Sequence, residues 1–84
     1  MSKVEIYTWQ YCPFCIRAKS RLKKKNINFT EHKIDGDNDA RAKMTERANG
    51  NRTLPQIFID NESIGGCDEL YALENHNKLD KLLN

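Results

Sequence analysis

Residues 11–15 read YCPFC, two cysteines separated by a proline and a phenylalanine. Two thiols at this spacing can close a loop, bind a metal or exchange electrons. Pro13 suits the first position of a helix, because the N–H that proline lacks would be unpaired there. We therefore predict that Cys12 caps a helix running from Pro13 to about Lys25.

The segments on either side of this stretch predict a strand followed by a helix. Residues 3–8, KVEIYT, alternate in the two-residue period of a strand. After Pro13, the residues Cys15, Ala18 and Leu22 recur at three- and four-residue steps, which is typical of the buried face of a helix. The cysteine pair is thus expected where a strand ends and a helix begins.

The rest of the chain predicts a second strand, a second helix, a hairpin and two short helices. The expected positions are a strand over 26–35, a helix over roughly Asp39 to Ala48, a strand at Ile57 to Ile59, a turn at residues 60–62, a short strand ending at Gly65 and Gly66, a cap at Asp68 and two helices broken near Asn75 to Asn77. A parallel crossover followed by a hairpin gives a four-stranded mixed sheet with helices on its faces. The predicted fold class is α/β, as a single domain over residues 1–84.

Composition and charge exclude several classes of protein. The chain has 38% hydrophobic and 31% charged residues, a balance unlike that of disordered chains. A net charge of +2 is too small to indicate nucleic-acid binding, so the six cations of residues 17–25 are interpreted as a solvated helix face. No apolar run approaches the roughly 20 residues of a membrane span, and the first nine residues lack the apolar core of a secretory signal. We expect a cytoplasmic protein without membrane or nucleic-acid partners.

The cysteine count favours redox chemistry. Cys12, Cys15 and Cys67 make an odd number, which is a poor basis for a structural disulfide framework. Zinc needs four ligands, and the chain has no second Cys-X-X-Cys motif. Its two histidines, His32 and His76, do not have the spacing of a ligand pair, so no metal site is predicted. Both histidines are interpreted as surface or boundary residues.

The predicted helix start assigns different roles to the two cysteines. Unpaired N–H groups and the helix dipole at an N-terminus lower a cysteine pKa below its free value of about 8.5. Cys12 lies outermost and is the predicted nucleophile, which attacks an external disulfide. Cys15 belongs to the buried stripe and is the predicted resolving thiol, which attacks Cys12 and releases the substrate.

Two further motifs could form a binding site beside the cysteines. RTLPQIF (52–58) places Pro55 just before a strand, where a cis peptide is possible; an ordinary strand-start proline is the alternative. IGGCDEL (64–70) places two glycines and Asp68 at another helix start, where backbone N–H groups can bind an anion; a simple turn and cap is the alternative.

Taken together, CPFC after a first strand, TLPQIFID (53–60) and GGCDEL (65–70) resemble the small bacterial dithiol glutaredoxins over nearly the whole chain. The resemblance implies a thioredoxin-like fold, no bound cofactor, and glutathione as the reductant. It also implies glutathione mixed disulfides and protein disulfides as substrates, with ribonucleotide reductase as one family-level partner. The oligomeric state is open in the sequence, and a monomer is the default expectation.

The resemblance also implies a glutathione site. The loop Thr53, Leu54 and Pro55 would pair with the cysteinyl part of glutathione, and the helix start would hold its γ-glutamyl end. The full predicted set of glutathione-binding residues is Phe14, Arg41, Thr53, Leu54, Pro55, Gly66, Cys67 and Asp68. Cys67 could serve simply as a small residue of the motif or as an extra thiol that oxidises under stress.

One position departs from the family pattern. Many glutaredoxins carry a lysine three residues before the nucleophile, near the glycyl carboxylate of glutathione, and this chain has Trp9. Arg41 is our candidate for that carboxylate and Arg52 the alternative, while Trp9 could contact a substrate or cover the site. Two other functions remain open: a redoxin fed by thioredoxin reductase, and a dimer sharing an iron-sulfur cluster through Cys12 and two glutathione molecules.

Overall fold

A computed structural model describes residues 3–83 of the chain. Its elements follow the predicted order of strand, helix, strand, helix, hairpin and two short helices. They are β1 (Val4–Thr8), α1 (Pro13–Lys24), β2 (Thr30–Lys33), α2 (Asn38–Arg47), β3 (Gln56–Ile59), β4 (Glu62–Gly65), α3 (Cys67–Asn75) and α4 (Leu79–Leu83). Within residues 3–83, no helix is both long and apolar enough to cross a membrane.

The four strands form one mixed sheet in the order β2-β1-β3-β4. β1 pairs with β2 in parallel and with β3 in antiparallel fashion, and β3 pairs with β4 in antiparallel fashion. The hairpin turns at Asp60 and Asn61, whose φ angles are +51° and +71°. Asp and Asn tolerate this left-handed conformation better than most side chains, which is why a two-residue turn forms there.

Helices cover both faces of the sheet, because alternate residues of the central strands point to opposite sides. Ile6 and Ile57 pack with Ala18 and Leu22 of α1 and with Leu70 of α3. On the other face, Phe58 packs with a second cluster that includes Met44 of α2. The predicted α/β class, with a four-stranded mixed sheet and helices on both faces, is confirmed.

Several predicted boundaries differ from the structure. β3 begins at Gln56 rather than Ile57, and Glu62, predicted in the hairpin turn, begins β4. β2 covers Thr30–Lys33, part of the predicted 26–35, and pairs only with β1 at the sheet edge. α2 begins and ends one residue earlier than predicted. It begins at Asn38 because the Asp37 side chain caps it by accepting from the N–H of Ala40. The prediction that Asp68 caps α3 is wrong. Gly66 is the N-cap, and its N–H donates to Oε1 of Glu69 at 2.6 Å.

Candidate active site

Cys12 and Cys15 lie together at the N-terminus of α1. Cys12 is the N-cap, as predicted, with an extended backbone at φ −105° and ψ 103°. Its Sγ accepts a hydrogen bond from the N–H of Cys15 at 3.2 Å. The two sulfurs are in disulfide contact, and the two Cα atoms are 5.2 Å apart. This arrangement can open to a dithiol and close again on oxidation.

The two cysteines differ in accessibility, as the sequence predicted. Cys15 is 1% exposed and is buried on the same side of α1 as Ala18 and Leu22, whereas Cys12 is only partly buried. The first turn of α1 has no acidic residue, so no carboxylate of that turn competes with the Cys12 sulfur for the backbone N–H groups. An external disulfide can therefore approach Cys12 more readily than Cys15.

The residue before the nucleophile has an unusual backbone. Tyr11 has φ +60°, the left-handed region that bulky side chains seldom adopt, and its side chain is 89% exposed. Exposure means that packing of the Tyr11 ring does not explain this conformation. The turn directs the chain from the end of β1 into the Cys12 cap.

The loop before β3 lies against the nucleophile. The peptide bond between Leu54 and Pro55 is cis, and the carbonyl oxygen of Leu54 is 3.9 Å from Sγ of Cys12. The backbone of Leu54 is thus beside the sulfur that an incoming disulfide must reach.

Two amide side chains hold Thr53, the residue before Leu54. Oδ1 of Asn51 accepts from the Thr53 N–H at 3.1 Å and from its hydroxyl at 2.8 Å. Nε2 of Gln56 donates to the Thr53 carbonyl at 2.9 Å and to its Oγ1 at 3.1 Å. Gln56 is fully buried and Thr53 is exposed, so these bonds tie an exposed loop residue to a buried side chain. They fix the loop that approaches Cys12.

The start of α3 forms the other wall. A Cβ atom added at Gly66 would lie 3.0 Å from the Pro55 carbonyl, so only glycine fits there without a shift. Burial raises the pKa of the Cys67 thiol, and Asp68 and Glu69 contribute in the same direction, against the opposing effect of Arg17. Cys67 is consequently a neutral thiol at pH 7, unsuited to act as a nucleophile.

These elements enclose an open cavity of about 490 Å³, within the roughly 300–1,000 Å³ range of small-molecule sites. It brings together seven residues that the sequence singled out and two that it missed. The predicted residues are Phe14, Thr53, Leu54, Pro55, Gly66, Cys67 and Asp68, and the additional ones are Asn51 and Glu69.

Arg41 lies outside this cavity. It lines a neighbouring open cavity of about 410 Å³ together with Arg52. Its guanidinium carbon is 5.4 Å from the centroid of the Trp9 ring, and Nε and Nη2 donate to the Arg52 carbonyl at 3.2 and 2.8 Å. The two cavities adjoin along the backbone, because Asn51 and Thr53 line the first and Arg52 the second.

Gln56 and Asn51 were missed although each leaves a trace in the sequence. Gln56 is a lone amide at the head of the apolar run QIFI, and Asn51 stands two residues before a threonine, a spacing typical of Asx turns. Neither trace indicates the target of the side chain, so the pairing with Thr53 could not be predicted.

The histidines lie outside the cavity. Nε2 of His32 is 3.1 Å from Oε1 of the buried Glu5, on the sheet face covered by α2, and His76 is the exposed C-cap of α3. Across the described part of the chain, no three His, Cys, Asp or Glu side chains are grouped as metal ligands would be.

Three of the six cations in residues 17–25 form ion pairs. The carboxylate of Glu31 is 2.9 Å from Lys19, that of Glu74 is 3.2 Å from Arg21, and that of Asp80 is 3.1 Å from Lys25. Their partners belong to the protein itself, so these three charges are paired within the fold. The interpretation of the segment as a solvated helix face stays a prediction.

Comparison with known proteins points to one family. The family model described as Glutaredoxin matches residues 4–64. A probable glutaredoxin of Synechocystis sp. is 60% identical over 83 residues, covering 99% of this chain and 94% of the relative. Glutaredoxin 3 of Escherichia coli K12 is 52% identical over 83 residues, covering 99% of each.

Solved structures agree with the sequence comparison. A dithiolic glutaredoxin from Trypanosoma brucei brucei superposes with a TM-score of 0.87 at 36% identity, covering 99% of this chain and 88% of its own. A buckwheat glutaredoxin–glutathione complex superposes with a TM-score of 0.87 at 26% identity, covering 98% of this chain and 76% of its own. The fold is therefore thioredoxin-like, as expected of these neighbours.

Proposed function

Because the chain belongs to the glutaredoxin family, we propose that it is a glutathione-dependent thiol-disulfide oxidoreductase. Its substrates are glutathione mixed disulfides and protein disulfides, and its reductant is glutathione rather than a bound cofactor. The observation that carries this proposal is the contact of Cys12 with the Leu54 carbonyl at the edge of a cavity that extends to the start of α3. The buckwheat relative was solved as a glutathione complex, which supports the same ligand here.

Reduction of a glutathione mixed disulfide needs only Cys12. Its thiolate attacks the glutathione sulfur, the bond between that sulfur and the substrate breaks, and the substrate leaves as a thiolate that takes a proton from water. The N–H of Cys15, which donates to Sγ of Cys12, stabilises the attacking thiolate. A second glutathione thiolate then attacks the glutathione sulfur bound to Cys12, which yields oxidised glutathione and frees Cys12.

Reduction of a protein disulfide uses both cysteines. Cys12 forms a mixed disulfide with one substrate sulfur, and the other substrate sulfur leaves as a thiol. The Cys15 thiol loses its proton to solvent and attacks Cys12, which releases the reduced substrate and leaves the Cys12–Cys15 disulfide. Two glutathione molecules restore the dithiol and become one oxidised glutathione.

The cavity is suited to a peptide with charged ends. The Leu54 backbone can pair with the cysteinyl part of glutathione beside Cys12, and Phe14 and Thr53 flank that position. At the start of α3, the backbone N–H groups of the first helical turn suit the γ-glutamyl carboxylate, and the exposed Asp68 suits its ammonium group. We expect a monomer acting in the cytoplasm on glutathionylated or disulfide-containing proteins, of which ribonucleotide reductase is a family-level example.

The choice of electron donor tests the proposal. Purified protein is assayed with a glutathionylated peptide and NADPH, in one series with glutathione and glutathione reductase and in another with thioredoxin reductase alone. We expect NADPH consumption only in the first series. Consumption only in the second would mean that Cys12 and Cys15 are a redox pair served by thioredoxin reductase, and the glutathione site would be wrong.

A further inference from the structure

The Arg41 guanidinium is held between three segments of the chain. Trp9 follows β1 and places its ring 5.4 Å from the guanidinium carbon, within the range of a cation–π contact. Arg41 itself lies in the first half of α2, and its Nε and Nη2 donate to the carbonyl of Arg52, in the loop that leads to Leu54. The ring and the carbonyl together restrict a long side chain that would otherwise sample many rotamers.

Arg41 retains donors and an uncompensated charge. A guanidinium carries five N–H groups, and only one on Nε and one on Nη2 are used by Arg52. Within residues 3–83, no carboxylate forms an ion pair with Arg41. The remaining N–H groups are therefore free to bind an anion at the open cavity that Arg41 lines.

Arg41 and α3 contact different parts of the loop that contains Leu54. The Gly66 backbone packs against the Pro55 carbonyl on one side of the Leu54 segment. Arg41 contacts Arg52, two residues before Leu54, and Trp9 is three residues before Cys12. An extended tripeptide whose γ-glutamyl end is at α3 and whose cysteinyl part pairs with Leu54 would direct its glycyl carboxylate toward Arg41.

We propose that Trp9 is a positioning residue: its ring holds the Arg41 guanidinium so that the free N–H groups meet the glycyl carboxylate of glutathione. The inference rests on the proposed function. In this proposal Trp9 needs no charge of its own, because Arg41 of α2 supplies the positive charge. It also favours Arg41 over Arg52 as the carboxylate ligand. The backbone of Arg52 holds the Arg41 side chain, and among the described residues no hydrogen bond, ion pair or ring contact restrains the Arg52 side chain in this way.

A substrate pair isolates this contact. A peptide is glutathionylated either with glutathione or with its glycine amide, which lacks only the terminal negative charge, and kcat/KM is measured for both forms. We expect the wild-type protein to prefer the acid about tenfold, as a charge-assisted hydrogen bond would give. Arg41→Gln should bring the ratio of acid to amide close to one, mainly by raising KM for the acid.

Variants of Trp9 separate positioning from a merely structural role. Trp9→Leu should lower the acid preference by roughly two- to fivefold, the size of an exposed cation–π contact, and Trp9→Phe should restore most of it. In the Arg41→Gln background, Trp9→Leu should not change the ratio further. The matched control is Arg52→Gln, which removes one charge at the same cavity but keeps the carbonyl that Arg41 uses, and it should retain the preference.

The outcomes are distinguishable. An acid preference that Trp9→Leu leaves intact, in a variant with a normal urea unfolding curve, overturns the positioning role of Trp9. A preference lost in Arg52→Gln but kept in Arg41→Gln overturns the choice of ligand. If the wild-type protein reduces neither substrate with glutathione, the proposed function itself fails. As a readout independent of activity, the fluorescence of Trp9, the single tryptophan of the chain, should change in Arg41→Gln; an unchanged spectrum would contradict the ring contact.

Discussion

The carbonyl oxygen of Leu54 lies 3.9 Å from the sulfur of Cys12, although the two residues are 42 positions apart in the sequence. The contact joins the start of α1 to the loop before β3. A disulfide that reacts with Cys12 must consequently approach alongside the backbone of Leu54, whose peptide groups can align it.

Substitution of each cysteine should separate the two proposed reactions. Cys12→Ser should lower reduction of both glutathionylated peptides and protein disulfides by on the order of a thousandfold, because it removes the nucleophile. Cys15→Ser should keep the first activity and lose the second, because only the second needs a resolving thiol. The measurement is the rate of each reaction with glutathione as reductant. Equal losses of both activities in Cys15→Ser would contradict the assigned roles.

Gln56→Met should weaken substrate binding without removing the chemistry. The substitution deletes two partly buried hydrogen bonds to Thr53, at 2.9 and 3.1 Å, while keeping a similar volume. We expect an increase in KM of several-fold, little change in kcat, and a loss of about 1–2 kcal/mol in the free energy of unfolding. The control is Gln10→Met, at an exposed position. Lost stability with an unchanged KM would show that Gln56 does not order the binding loop.

Gly66→Ala should disturb the contact between α3 and the loop before β3. The new Cβ would lie 3.0 Å from the Pro55 carbonyl, so the start of α3 must move away. We expect a loss of about 1–3 kcal/mol in the free energy of unfolding and a higher KM for glutathionylated peptides. Gly50→Ala is the control, because its Cβ meets nothing within 4 Å and the change brings only the strain of φ +93°. If both variants had the same KM, the close packing of Gly66 would be irrelevant to binding.

The Glu5–Arg47 pair should make the fold sensitive to acid. Hydrogen bonding to Arg47 lowers the pKa of the buried Glu5 from its ordinary value of 4.5, against the opposing effect of burial and with help from His32. A carboxyl group with a lowered pKa stabilises the fold above its ordinary pKa, and this stability is lost as pH falls through the folded-state value. The free energy of unfolding should therefore decrease below about pH 4.5.

Urea unfolding at pH 7 and pH 4 checks this expectation. Glu5→Gln should show a smaller difference between the two pH values than the wild-type protein, whereas the exposed Glu46→Gln, on the helix that carries Arg47, should not. Arg47→Met leaves Glu5 without its guanidinium partner and should lower the free energy of unfolding by about 1–3 kcal/mol at pH 7. This loss is smaller than that expected for a fully buried ion pair, because the Arg47 side chain is 30% exposed. An identical pH dependence in Glu5→Gln would contradict the role of Glu5.

Local sequence signals were sufficient for most of the fold. Pro13 after Cys12 predicted both the helix start and the cap, and the spacing of Cys15, Ala18 and Leu22 predicted the buried face of α1. These features depend on residues a few positions apart, whose backbone preferences are strong. β2 was predicted too long because an edge strand ends where its single partner ends, and the partner lies elsewhere in the sequence.

Long-range contacts at the site could not be predicted in the same way. The prediction that Asp68 caps α3 was wrong, because the carboxylate that accepts from the Gly66 N–H belongs to Glu69. Asp68 and Glu69 are neighbours in the sequence, and their composition does not indicate which of them makes this hydrogen bond. The approach of Trp9 to Arg41 depends on how the end of β1 and the start of α2 meet in space. The left-handed backbone of Tyr11 could not be predicted, because tyrosine seldom adopts a positive φ angle.

The most direct test of glutathione chemistry at Cys12 is mass spectrometry of the Cys15→Ser variant after reaction with oxidised glutathione. We predict one glutathionyl group per chain, mapped by peptide analysis to Cys12 and removed by added reduced glutathione. Absence of the group from Cys12, or its presence only on Cys67, would contradict the account.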